Sequence, residues 1–305
     1  MRVSTFNTYS SSLYRMQNLT SEIAKLNEMQ ATSTSILRPS DDPIGSVKMI
    51  GNQRDMAATE QYINNIESLS SSFSRAETNL SSVVELQNRM REITISANNG
   101  SLSPKDRAAY GAEMSELLGA FTDTLNAKDE SGNYLFSGNK TDTAPIAIDD
   151  SGHYTYQGDN KLREVQTSSS SWVSANVTGD ALIFSNGSDD ILNQTQDFIK
   201  ALKDPALAPG NAAFDDVATA MLESLDDTLT STSRAITDIG GKQNSLSLVQ
   251  SSHEEMKLFN DTVIGEIQGL DHPKAQAEIT ANLVVLEITQ KTFVQVSQLS
   301  LFNQL

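Results

Sequence analysis

The stretch Met221-Leu-Glu-Ser-Leu225-Asp-Asp-Thr228-Leu-Thr-Ser-Thr232-Ser-Arg-Ala235-Ile-Thr-Asp-Ile239 decides the fold. Its numbered residues recur at steps of four and three. The rhythm continues through Lys242, Leu246, Val249, His253, Met256, Asn260, Val263, Ile267 and Leu270. This spacing places them all on one face of an α-helix, as a seam that calls for a partner helix. At 1.5 Å per residue the helix is roughly 75 Å long, longer than a compact domain is wide. His272 and Pro273 end it, because proline removes a helical N–H and biases the residue before it away from the helix. A second amphipathic segment follows, with Ile279, Leu283, Leu286, Gln290, Phe293, Val296, Leu299 and Phe302.

The other end of the chain supplies a mate. A helix beginning between Thr5 and Ser11 and running to about Ser35 carries Met16, Leu19, Ile23 and Leu26 on one face. Next comes Arg38-Pro39-Ser40-Asp41-Asp42-Pro43, where two prolines forbid a continuous helix. Ser40 reads as an N-cap, with Asp41 and Asp42 favoured in the first turn by the helix dipole. From Pro43 to about Asn99 a second long helix has its seam at Thr59, Tyr62, Ile66, Leu69, Phe73, Ala76, Leu80, Val83, Gln87, Met90, Thr94 and Ala97. Asn98-Asn99-Gly100 stops it, with Gly100 suited to the left-handed position after a helix. Ser103-Pro104-Lys-Asp106 opens a third helix with a capping serine, a proline at the first helical position and an acid at the third.

Between Tyr134 and Ser185 the period changes to that of strands. Ile146–Ile148 and His153–Tyr156 flank Asp149-Asp-Ser-Gly152, a hairpin signal. Arg163–Thr167, Trp172–Thr178 and Ala181–Phe184 are further strand candidates, with Trp172 expected to anchor their core. A short helix is expected from Asp189 to Leu202. The expected fold is mainly α: a long antiparallel helical-bundle or coiled-coil rod with paired terminal helices and a small β-rich insert. Its parts are a terminal coiled-coil domain (1–37 with 274–305), a long-helix domain (38–135 with 211–273) and a variable insert (136–210).

Composition narrows the function. Of 305 residues only 38% are hydrophobic and 6% aromatic, which suits thin bundles better than a thick enzyme core. A net charge of −17 without a basic tract opposes nucleic acid and anionic membrane surfaces as partners. Cysteine is absent, which removes disulfides and thiol chemistry. The first residues lack the apolar core of a cleaved secretory signal, so none is expected. His253-Glu-Glu-Met-Lys257 misses the zinc motif by its second histidine. No catalytic, cofactor or metal-ligating residue is expected, and the chain reads as a non-enzyme.

Several short stretches, in order, resemble the flagellin-like axial proteins of the bacterial flagellum. They are Met1-Arg-Val-Ser-Thr5, Arg38-Pro-Ser-Asp-Asp-Pro43, Leu102-Ser-Pro-Lys-Asp-Arg107, Gly132-Asn-Tyr-Leu-Phe-Ser-Gly138, Ile239-Gly-Gly-Lys-Gln-Asn244 and Leu299-Ser-Leu-Phe-Asn-Gln-Leu305. The two ends are most similar to those members that join hook to filament. The resemblance implies an assembly seam at Met16, Leu19, Ile23, Leu26, Ile279, Leu283, Leu286, Phe293, Val296, Leu299 and Phe302. It also implies corners at Pro39, Ser40, Asp41, Asp42, Pro43 and Pro273. The partners implied are flagellin on the distal side, another hook-associated protein on the proximal side, copies of the chain in a ring, and an export chaperone on the C-terminal helix. The location implied is extracellular, in the flagellum, reached by type III export. Two alternatives remain: a filament-forming flagellin, or a surface adhesin module using the insert.

Overall fold

A computed structural model describes residues 2–183 and 190–302, with side chains described for 7, 9–183 and 190–295. The element order is α1 (Arg2–Thr32), α2 (Pro43–Ala97), α3 (Pro104–Leu125), β1 (Ile146–Ile148), β2 (Tyr154–Tyr156), β3 (Glu164–Gln166), β4 (Trp172–Ser174), α4 (Gly179–Ile183), α5 (Ile191–Lys203), α6 (Ala212–Gln268) and α7 (His272–Phe302). The fold is thus mainly helical with a small antiparallel β region. Contacts divide it into two compact units, one of residues 1–58 with 255–305 and one of residues 59–254. Both α2 and α6 run through the two.

In the 59–254 unit α2 and α6 are antiparallel. Tyr62 stacks on His253, Lys242 lies over the Phe73 ring, Gln243 donates to Ser74, and Arg91 pairs with Asp226. The buried row on α2 is Ile66, Leu69, Phe73, Ala76, Leu80, Val83, Gln87, Met90, Thr94 and Ala97. With Thr59, which is also buried, those are eleven of the twelve seam positions read from the sequence; Tyr62 is half-buried. On α6, Met221, Leu225, Thr228, Thr232, Ile239 and Leu246 are buried. Threonine is tolerated there because its hydroxyl donates to the carbonyl one turn back, as Thr228 does to Ser224 (2.6 Å) and Thr232 to Thr228 (2.8 Å). Met256 is the exception on this seam, being exposed.

Ser103 caps α3 as its sequence requires, accepting from Asp106 N while the Asp106 carboxylate accepts from Ser103 N. Met114, Leu118, Phe121 and Leu125 are buried, and α3 packs against α5. Gly111 permits the close approach, since a Cβ there would lie 3.2 Å from Leu202 Cβ. The stop of α2 differs from expectation. Gly100 does not take a left-handed conformation; instead the Asn99 side chain accepts from the Ser101 N–H and hydroxyl and turns the chain.

The insert holds two separate hairpins, β1–β2 (Ile146 opposite Tyr156) and β3–β4 (Val165 opposite Val173). Tyr156 fixes the turn out of the helices, with its hydroxyl 2.9 Å from Phe136 O and 3.0 Å from Asp159 O. A Cβ at Gly179 would come within 2.9 Å of the Tyr156 ring, so glycine is required there. Two expectations fail here. Ala181–Ile183 belong to the helix α4 rather than a strand, and Phe184, like Asp189, lies outside the described residues. Trp172 is 57% exposed and anchors nothing. It shares a face with Gln166, opposite in register, while Val165 and Val173 take the inward face.

Candidate assembly surface

The corners are built from short-range chemistry. Asp41 does not enter the first turn of α2; its carboxylate accepts from Lys25 Nζ (2.6 Å), Arg38 N (3.0 Å) and Leu37 N (3.2 Å), closing the loop onto α1. The Lys25 bond, with the Arg38 amide, holds this carboxyl below its ordinary range. Asp42, rather than Ser40, caps α2, accepting from Ile44 N (3.1 Å) and Gly45 N (2.9 Å). Ser40 and Pro39 occupy the turn, and Pro43 begins the helix where a missing N–H costs nothing. The second corner mirrors this logic. Asp271 accepts from Lys274 N (3.0 Å), so Pro273 falls in the first turn of α7 and breaks the path between α6 and α7 without breaking α7. Ser35 N donates to Gln268 O (2.7 Å), and Thr34 bridges Gly269, tying the two corners together.

From these corners α1 and α7 pair antiparallel. Gln30 Nε2 donates to Gln276 Oε1 (3.0 Å) near the corners, and Tyr9 meets Phe293 at 4.9 Å between ring centroids further out. Met16, Leu19, Ile23 and Leu26 are half-buried on α1; on α7, Ile279 is buried and Leu286 and Phe293 are half-buried. The α7 row that turns inward is Ala275, Ile279, Asn282, Leu286, Thr289 and Phe293, at regular steps of four and three. Leu283 is not in it and is 49% exposed. The side chains of Val296, Leu299 and Phe302 lie outside the described residues. Sequence reasoning passed over Ala275, Asn282 and Thr289, whose spacing alone marks them.

The outward face of α7 also carries apolar side chains, interspersed with the exposed Glu278, Glu287, Gln290 and Lys291. Leu283, Val284, Val285, Ile288 and Val294 are all exposed. A helix with apolar side chains on every side needs more cover than one partner gives. Among the described residues no group of three or more His, Asp or Glu residues is placed to hold a metal ion, and no helix is long and apolar enough to cross a membrane. His253 is engaged structurally, with Nε2 2.7 Å from the Thr167 carbonyl and its ring stacked on Tyr62.

Capped corners, an antiparallel terminal pair and two long seamed helices with a β insert define a flagellin-like structural protein. Residues 3–141 match the bacterial flagellin N-terminal helical region. A structure described as that of a flagellar hook-associated protein from Vibrio parahaemolyticus is 35% identical, with a TM-score of 0.70, covering 75% of this chain and all of that one. The chain belongs to the family of flagellar hook-associated proteins. It is similar along 99% of both lengths to flagellar hook-associated protein 3 of Salmonella typhimurium, at 26% identity. The structure of the flagellar junction protein of Legionella pneumophila, 19% identical, shares the fold with a TM-score of 0.59 over 73% of this chain and all of that one.

Proposed function

We propose that this chain is the structural adaptor of the hook–filament junction, joining a proximal hook-associated protein to flagellin and allowing the filament to polymerise. One observation carries the reading: α1 covers one side of α7, and Leu283, Val284, Val285, Ile288 and Val294 stay exposed on the rest of it. Copies in a ring supply the missing cover, since burying a Leu- or Val-sized side chain stabilises by about 1.5–3 kcal/mol. The terminal residues 1–37 and 274–305 form the inner, assembling layer. Residues 38–135 with 211–273 form the next layer, and 136–210 face outward. The seam residues, with Val296, Leu299 and Phe302, act in assembly rather than in catalysis. The role is non-enzymatic. The location is extracellular, reached by type III export, with a chaperone covering the C-terminal helix beforehand.

The test is a strain lacking the chain, scored by electron microscopy and by flagellin in the medium. Bare hooks with abundant unpolymerised flagellin are expected. Bare hooks with little flagellin anywhere would make the chain a filament subunit, and normal filaments would overturn both roles.

A further inference from the structure

At the start of α2 three apolar side chains stand out to solvent. Ile44 and Val47 are each 72% exposed and Ile50 59%. Steps of three place them on one arc of the helix, while Gly45 and Ser46 are buried on the other side. That buried side is closely packed, for a Cβ on Gly45 would lie 3.2 Å from Ile267 Cγ2. The Asp42 cap fixes the backbone beneath the stripe. The stripe is therefore rigid at its back and bare at its front. Exposed Lys48 and Arg54 flank it, and the first acid along the helix is Asp55.

We propose that the Ile44–Val47–Ile50 stripe of one copy docks on the outward Leu283–Val284–Ile288 band of α7 in a second copy of this chain. The inference rests on the assembly reading above and adds the surface on which the neighbouring copy sits. The two surfaces match in length, about 9 Å for the stripe and about 7.5 Å for the band at 1.5 Å per residue. Their borders are complementary, with Lys48 and Arg54 beside the stripe and Glu278 and Glu287 beside the band, Glu287 sharing its charge with Lys291. Two different surfaces make a heterologous contact, which repeats into a ring or a helix, whereas a self-matching patch would stop at a dimer.

Because the chain has no cysteine, Val47→Cys and Val284→Cys introduce the only thiols. A strain lacking the chain is complemented with the double variant, and its purified flagella are oxidised and run on a non-reducing gel. A ladder of linked oligomers is expected. Filaments without any ladder, or dimers formed as readily by Val47→Cys alone, overturn the docking. Complementation with Val47→Asp and with Leu283→Asp separates this inference from the reading beneath it. Loss of filaments in both supports the docking. Loss with Leu283→Asp alone keeps the assembly reading and sinks the docking, and normal filaments in both sink the two together.

Discussion

Asp41 is the residue on which the first corner turns, and its role sets a pH dependence. Its carboxylate takes one charged and two backbone donors, so its folded pKa lies below the ordinary value. A depressed folded pKa contributes stability that is complete above the unfolded value of about 3.9 and lost as pH falls through the folded one. Protection of the Leu37 and Arg38 amides from hydrogen exchange, corrected for intrinsic rates, should therefore decline on the acid side of that window. Asp41→Asn should weaken the protection at neutral pH and flatten its acid limb, and an Asn variant with the native profile would remove Asp41 from the corner. Gln87 makes the opposite case. It is 1% exposed within the α2 seam, and neither end of its amide has a hydrogen-bond partner. An unpaired buried polar group costs about 1–3 kcal/mol. Gln87→Met, close in volume, should raise the melting temperature followed by far-UV circular dichroism, and no rise would mean that the amide is satisfied.

At the scale of elements, the two long helices were legible and the last one was half legible. The seams of α2 and α6 alternate apolar and polar faces, so a period of three and four picks out one solution. In α7 the apolar residues run all round, and from Ile279 the same steps lead either to Leu283 or to Asn282. Hydropathy chose Leu283; packing chose Asn282. Trp172 was misplaced for a related reason, because size suggested burial while strand alternation beside Val173 decided the face. Ala181–Ile183, a short apolar run, has no period of its own and reads equally as strand or helix. The corners were found by their prolines, but the choice of Asp42 over Ser40 as the cap needed the actual turn. The phase of α7 now separates two substitutions that the sequence treated alike. Leu286→Asp puts a charge against α1 and should loosen the isolated chain's terminal pair, seen as faster proteolysis of both ends. Leu283→Asp should leave the monomer's digestion pattern unchanged and act on assembly alone. Equal digestion of the two variants would reverse the assigned phase.

For the whole molecule, charge is distributed as unevenly as apolar surface. Residues 1–58 with 255–305 carry nine basic and eleven acidic side chains, and residues 59–254 carry thirteen and twenty-eight. The net charge is thus −2 on one unit and −15 on the other, with the exposed apolar side chains at the start of α2 and on α7 in the nearly neutral one. Copies that meet still repel one another through their net negative charge, and that repulsion reaches over a Debye length of about 10 Å at 0.1 M salt but about 3 Å at 1 M. Apolar burial is not screened in this way. Self-association of the purified chain, followed by light scattering, should therefore strengthen as sodium chloride rises from about 0.1 M to about 1 M. Neutralising acids of the 59–254 unit in pairs, as in Asp226→Asn with Asp227→Asn, should shift the onset to lower salt. Association that weakens with salt would place ion pairs, and not the apolar faces of α2 and α7, at the contact between copies.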